Sequence, residues 1–422
     1  MIFIFFFFAG ILVLLGYKSL RGGIDYLNFF KRELAKPESN FTPFVSIIAP
    51  CRGIDKDLQQ NLSALFEQNY PNYEIVFVVD DRADESLPII KRLMKKDESN
   101  EEWKTVNEKL QTDERFLPVS CNPFSSLVIA GRASDSSQKV HNLRQGVLQV
   151  EQVSEVFAFV DSDARPGADW LRNLVAPLKN EAVGCATGYR WFIAGRGGFF
   201  SQMQAVWNAS IASALGANAK NNFCWGGSMA IRRDKFERLE IREKWRGTLS
   251  DDYVLTKAIK DAKLTLCFVP QCLTASFIDC NATELLEFTT RQMKITRVYA
   301  PHLWKLSLIG SLLFSIVFWT GAGLLFFLSG WKFWMTFVLM SLIFALGVGK
   351  AWIRLMAVKL VLKDYANELN RQFLTQITLW MLTPILFFYN CLRAAFSRKI
   401  IWRETLYELK SASETVIING KD

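Results

Sequence analysis

The stretch 156–170, VFAFVDSDARPGADW, breaks an apolar run with two aspartates, Asp161 and Asp163, separated by one serine. Alternate residues of an extended chain point the same way, so both carboxylates face one space. Like charges so placed repel unless a cation joins them. Hard oxygen ligands of this kind suit Mg2+ or Mn2+, held in common with a substrate's phosphates. A second acidic pair, Asp251-Asp252, follows Ser250 and precedes the helix-like VLTKAIKDA. Either this pair and Ser250 cap the helix, or one carboxylate faces a crevice as a general base for an acceptor hydroxyl. Asp80-Asp81 ends the apolar EIVFVV, and Pro50-Cys51-Arg52-Gly53 ends VSIIA. Cys224-Trp225-Gly226-Gly227 joins an aromatic to paired glycines, which either let the backbone approach a ligand or simply turn the chain.

Positioning these groups requires strands that end together. Residues 45–49, 74–79 and 156–160 read as buried strands of a mainly parallel sheet. Between them, 57–68 places Leu58, Leu62, Leu65 and Phe66 on one helical face, and 139–150 does the same with Val140, Leu143, Val147 and Leu148. Such a βαβ series predicts an α/β fold with ligands outside the carboxyl ends of the strands. All three acidic or basic exits then converge on one crevice. The Lys-, Glu-, Asp- and Asn-rich stretch 91–117 reads as a solvated helical insertion.

A chain of 422 residues exceeds the usual single core. Half of it is hydrophobic yet 22% is charged, which fits a soluble domain joined to membrane segments. Residues 2–17 carry no charge, and Lys18, Arg21, Lys31, Arg32 and Lys36 follow. That order predicts an uncleaved anchor whose following segment is cytoplasmic. Uncharged runs at 306–328, 333–349 and 373–392 lie in the last third. The first is ~34 Å long as a helix, enough for a hydrocarbon core of ~30 Å. The first two predict a hairpin with both ends cytoplasmic. The third either spans or turns back near Pro384.

The division expected is an anchor at 1–20, a cytoplasmic domain at 41–300, a membrane region at 301–396 and a C-terminal tail at 397–422. The formal charge of +9 sits largely beside membrane segments, so the partner it predicts is anionic lipid rather than nucleic acid. Eight cysteines form no CxxC and histidines number two, which argues against a zinc or disulfide framework and for a reducing compartment.

Taken in order, VSIIAPCRG, LFEQNYPNYEIVFVVDD, QKVHNL, DSDARP, WGGSMAIRR and SDDYVLTKAI resemble the membrane-bound family-2 glycosyltransferases of the GT-A fold, in particular the ceramide glucosyltransferase-like branch. The resemblance covers roughly 41–301 and the anchor arrangement. It implies a Rossmann-like, mainly parallel catalytic domain between N- and C-terminal transmembrane helices, in a bacterial inner membrane. Pro50, Arg52, Asp80 or Asp81, Lys139 and Asp161 would bind a UDP-sugar donor. Asp163, with Asp161, would hold Mg2+ or Mn2+. Asp252 would be the catalytic base, with Asp251 its less favoured neighbour, and Trp225, Gly226, Arg291 and Lys294 would face the diphosphate and acceptor. In the family's Gln/Arg-x-x-Arg-Trp element, Lys294 and Ile295 replace the Arg-Trp, which removes an aromatic wall and a bidentate fork.

The function this implies is inverting transfer of a sugar, glucose foremost, to the hydroxyl of a ceramide-, diacylglycerol- or hopanoid-like lipid. A processive polysaccharide synthase and a non-catalytic nucleotide-sugar-binding membrane protein are the rivals. Residues 199–219 either line a lipid entrance or form an ordinary buried helix.

Overall fold

The computed structural model describes residues 2–98, 124–195 and 197–419. A seven-stranded sheet comprises β1 (Val45–Pro50), β2 (Tyr73–Val79), β3 (Phe124–Ile129), β4 (Val156–Phe159), β5 (Val183–Ala194), β6 (Met229–Arg232) and β7 (Thr265–Ile278), in the order β3-β2-β1-β4-β6-β5-β7. β1 pairs in parallel with β2 and β4, and β2 with β3. Only β6 runs against its neighbours β4 and β5. The mainly parallel α/β sheet anticipated from the apolar runs is therefore present.

Every residue of β1, β2 and β4 is buried, which is why these strands lack polar alternation. On one face Ile47, Ile75 and Phe77 meet Leu58, Leu62 and Leu65 of the helix Leu58–Phe66. On the other, Ile48, Val76 and Val78 meet Val140 and Leu143 of the helix Gln138–Gly146. Covering both faces leaves the strand ends as the place where polar side chains can gather. The predicted insertion at 91–117 lies mostly outside the described residues, and its first residues belong to the helix Leu87–Glu98.

Three helices, Ile2–Leu34, Pro301–Leu324 and Gly330–Val361, are long and apolar enough to cross a membrane. Phe373–Met381 and Thr383–Phe396 form a fourth apolar unit, bent by 56° beside Pro384. The N-terminal helix runs well past the expected boundary at residue 20, because Phe29 and Phe30 give its last turns an apolar face. Their rings lie 6.3 and 6.1 Å from that of Phe268 on β7. One continuous helix thus joins the apolar bundle to the sheet. It runs alongside Gly330–Val361 in the same direction, Gly16 against Leu346 and Gly23 against Lys350 and Ile353.

The stretch read above as a tail is a folded element. β8 (Lys399–Trp402), β9 (Thr405–Ser411) and β10 (Glu414–Asn419) form an antiparallel sheet. Ile400, Tyr407 and Leu409 bury against Leu249 and Ile295, which docks this sheet beside the strand exits.

Candidate active site

β1, β2 and β4 deliver their carboxyl ends to one edge. β6 starts there, with Met229 opposite Phe159, so Trp225-Gly226-Gly227 lies at the same edge. At the exit of β1, Arg52 Nε stands 3.3 Å from Asp80 Oδ2. Partial burial raises the Asp80 carboxyl above its ordinary range, with Arg52 opposing the rise. Asp81 points elsewhere: it is exposed and accepts the Ala83 N–H at 2.8 Å in the following turn. Of the pair left open by sequence, Asp80 is the residue in the crevice. Asp84, unforeseen, accepts the Gly53 N–H at 3.0 Å and fixes the loop after β1.

Lys139, on the first turn of its helix, lies 2.7 Å from Asp161 Oδ1 and 3.1 Å from Asp251 Oδ1. Burial alone would lower the Lys139 ammonium, but the two carboxylates outweigh it and hold the group charged. Burial pushes Asp251 up to about 6, with Lys139 opposing. Its Oδ2 is buried with no hydrogen-bond partner. A Cβ at Gly226 would stand 2.3 Å from that oxygen and 2.5 Å from Lys139 Nζ, so only glycine lets this backbone lie against the ion pair.

Asp252 faces differently from its neighbour. Ser250 caps the helix Asp251–Asp261 and also donates its hydroxyl to Asp252 Oδ1, so capping and carboxylate placement coexist. The Tyr253 N–H donates to the same oxygen at 2.7 Å, while Oδ2 lies 3.4 Å from the Gly226 nitrogen. Tyr299 Oη accepts the Leu249 N–H at 2.8 Å and so fixes the loop that carries this pair.

Asp163 Oδ2 pairs with Arg190 Nη1 at 3.2 Å. Desolvation raises the Asp163 carboxyl and Arg190 opposes it, while Asp161 and Asp55 raise it further. Asp163 Oδ1 is buried and unpartnered. A hard oxygen held this way fits a divalent ion that keeps one or two carboxylates and takes its remaining ligands from phosphate and water. Among the described residues no group of three or more His, Cys, Asp or Glu side chains is placed to cage an ion by itself.

Arg190 was not foreseen. Its guanidinium carbon lies 4.8, 5.4 and 5.4 Å from the ring centres of Phe192, Trp225 and Phe288. A lone arginine inside the apolar β5 is the signal that could have found it. Beside Asp163 opens a cavity of about 320 Å³ lined in part by Asp55, Phe192, Gln204, Ser276 and Phe288. The helix Phe199–Ala212 is largely buried and also lines this cavity through Gln204.

On the helix Ala282–Tyr299, Arg291 lies between the rings of Phe288 and Trp402, at 5.4 and 5.5 Å. Burial lowers its guanidinium to about 10, with neighbouring Arg190 adding to the effect. Lys294 leaves the crevice: its ammonium donates to the Lys399 carbonyl at 2.6 Å. It therefore holds β8 rather than facing a diphosphate, because the docked sheet offers a carbonyl within its reach. Ile295 is buried beneath the same sheet. Trp402, Arg403 and Asp55 are further crevice residues that sequence reasoning missed. Arg403 pairs with Asp55 and donates to the Arg52 carbonyl.

The fold belongs to the α/β class whose ligands sit outside the carboxyl ends of parallel strands. The profile of glycosyl transferase family 21 matches residues 10–107 and 123–415, and the chain belongs to that family. Ceramide glucosyltransferase of Candida albicans is 31% identical over 140 residues, 32% of this chain and 22% of that protein. Ceramide glucosyltransferase 1 of Caenorhabditis elegans is 39% identical over 54 residues, 13% of this chain and 12% of that protein. The chain thus matches less than a quarter of the length of either relative. Among solved structures, the Pyrobaculum calidifontis mannosyltransferase PcManGT, in complex with GDP-Man and Mn2+, aligns with a TM-score of 0.44 at 17% identity, covering 92% of this chain and 99% of that one.

Proposed function

We propose that the chain is an inverting glycosyltransferase that moves a sugar from a UDP-sugar to the hydroxyl of a membrane lipid. Family membership supports the reaction class. The partial likeness to proteins named ceramide glucosyltransferase favours glucose and a ceramide-, diacylglycerol- or hopanoid-like acceptor. Three helices able to cross a membrane favour a catalytic domain at the bilayer surface, on the cytoplasmic side where the basic flanks would lie. The observation that carries the reading is the meeting of Lys139, Asp161, Asp251 and Asp252 around Gly226, with the Arg190–Asp163 pair beside Trp225.

Asp252, less enclosed than Asp251, takes the proton of the acceptor hydroxyl as that oxygen attacks the anomeric carbon. The bond from that carbon to the diphosphate oxygen breaks on the opposite face, and the nucleoside diphosphate leaves with the electron pair. A single displacement inverts the carbon. Lys139, Arg190 and Arg291 face the charge that grows on the leaving group, in the manner of preorganised electrostatic stabilisation. Asp163, with Asp161 beside it, would hold Mg2+ or Mn2+, which supplies further neutralisation of the diphosphate when bound. Asp80 and Arg52 stand where the nucleoside would enter.

The test is incubation of membranes carrying the protein with a panel of labelled UDP-sugars, followed by lipid extraction and mass analysis. One labelled glycolipid carrying a single sugar is expected. A long polymer, or label released only as free sugar, would overturn the proposal.

A further inference from the structure

The connection between β8 and β9 has a conformation that calls for a cause. Trp402 pairs with Thr405, leaving only Arg403 and Glu404 to turn the chain. Both have positive φ, 47° and 65°. Two-residue hairpins demand this geometry, yet it is ordinarily met with glycine or asparagine. The turn directs Arg403 to the Arg52 carbonyl and the Asp55 carboxylate at the mouth of β1. Gly53 stands beside it, and a Cβ there would lie 3.6 Å from Arg403 Nη1. Trp402 meanwhile covers the Arg291 guanidinium at 5.5 Å.

Three further cations of the crevice are paired with carboxylates, Arg52 with Asp80, Lys139 with Asp161 and Asp251, and Arg190 with Asp163, while Arg291 lies between the rings of Phe288 and Trp402. Asp55 is shared, since it also accepts the Ser162 hydroxyl at 2.5 Å. About a third of the Arg403 side chain, 34%, remains exposed. Resting on the transferase reading above, we propose that the β8–β9 tip is part of the donor site, Arg403 contacting the diphosphate of the nucleotide sugar and Trp402 positioning Arg291 towards the same anion. A guanidinium suits this task because its planar fork matches two phosphate oxygens at once. The distant hairpin thereby provides the arginine and the aromatic that Lys294 and Ile295 do not.

Titration of the purified full-length protein with UDP and with uridine, in the presence of Mn2+, tests the assignment. In Arg403→Gln the affinity for UDP should fall about tenfold, the loss of roughly one charge-assisted hydrogen bond, while that for uridine stays. Arg403→Lys should recover part of the loss. Trp402→Ala should weaken UDP a few-fold, with Trp402→Phe restoring it, and Lys410→Gln on the exposed side of β9 should change neither ligand. Unchanged UDP affinity in Arg403→Gln, or equal losses for UDP and uridine, would overturn the hairpin assignment alone. A wild-type protein that binds no UDP would instead refute the transferase reading and remove the hairpin role with it.

Discussion

At the scale of single residues, adjacent aspartates meet opposite fates. Asp251 is enclosed and neutralised by Lys139, whereas Asp252 is turned to the crevice by Ser250 and the Tyr253 amide. In the proposed reaction the first would shape the site and the second would take the acceptor's proton. Asp252→Asn should therefore lower turnover by about 10²–10⁴-fold, the usual worth of a positioned general base, with UDP affinity preserved. Kinetics of lipid glycosylation beside a UDP titration would check this, and transfer at the wild-type rate would remove Asp252 from the mechanism. The acidic pairs were legible because carboxylates at the ends of apolar runs stand out. Which member of each pair faces inward was not, since side-chain direction depends on the helix start and on neighbours such as Tyr299.

At the scale of elements, the strands were legible because burial on both faces leaves unbroken apolar runs. Glu74 is the exception inside β2. It is buried, accepts the Ser46 hydroxyl at 2.5 Å and the Glu151 N–H at 2.7 Å, and ties β1 and β2 to the loop before β4. Burial raises its carboxyl above the ordinary 4.5, with the two hydrogen bonds opposing. The folded state thus binds this proton more readily than the unfolded chain, so its contribution is present at low pH and is lost as pH rises through the folded value. Relative to Glu74→Gln, the wild-type Tm should fall as pH rises from the ordinary carboxyl value of 4.5 towards the raised folded value. Thermal melts across that range would show it, and a constant difference would refute the assignment. The C-terminal sheet was missed because its alternation is short and its docking partners, Leu249 and Ile295, lie more than a hundred residues away in sequence. Those contacts also give Ile295 a structural reason to be aliphatic.

At the scale of the whole molecule, the apolar helices and the sheet are mechanically joined. The N-terminal helix ends in the core beneath β7, and the start of the bent unit is tied to β5 and to the helix Phe199–Ala212: Gln372 just before it donates to the Phe192 carbonyl at 3.3 Å and Thr375 to Gln202 Oε1 at 2.8 Å. The bend is held by Trp380, whose ring lies against Gly347, where a Cβ would stand 2.2 Å from it. Gly347→Ala must displace that ring, and overpacking of this kind costs about 1–3 kcal/mol. It should lower the Tm by several degrees in thermal melts, and an unchanged Tm would show that the ring moves aside without cost.

What the chain alone determined is what local pattern can encode: buried strands, amphipathic helices, apolar runs long enough to span, and carboxylates at strand exits. These depend on periodicity and run length, which neighbours in sequence decide. Only the tertiary structure decided that Asp80 rather than Asp81 enters the crevice, that Arg190 pairs with Asp163, that Lys294 turns away, and that a C-terminal hairpin brings Trp402 and Arg403 to the site. Each of these outcomes rests on contacts between segments distant in the chain, where packing geometry, not residue type, selects the partner.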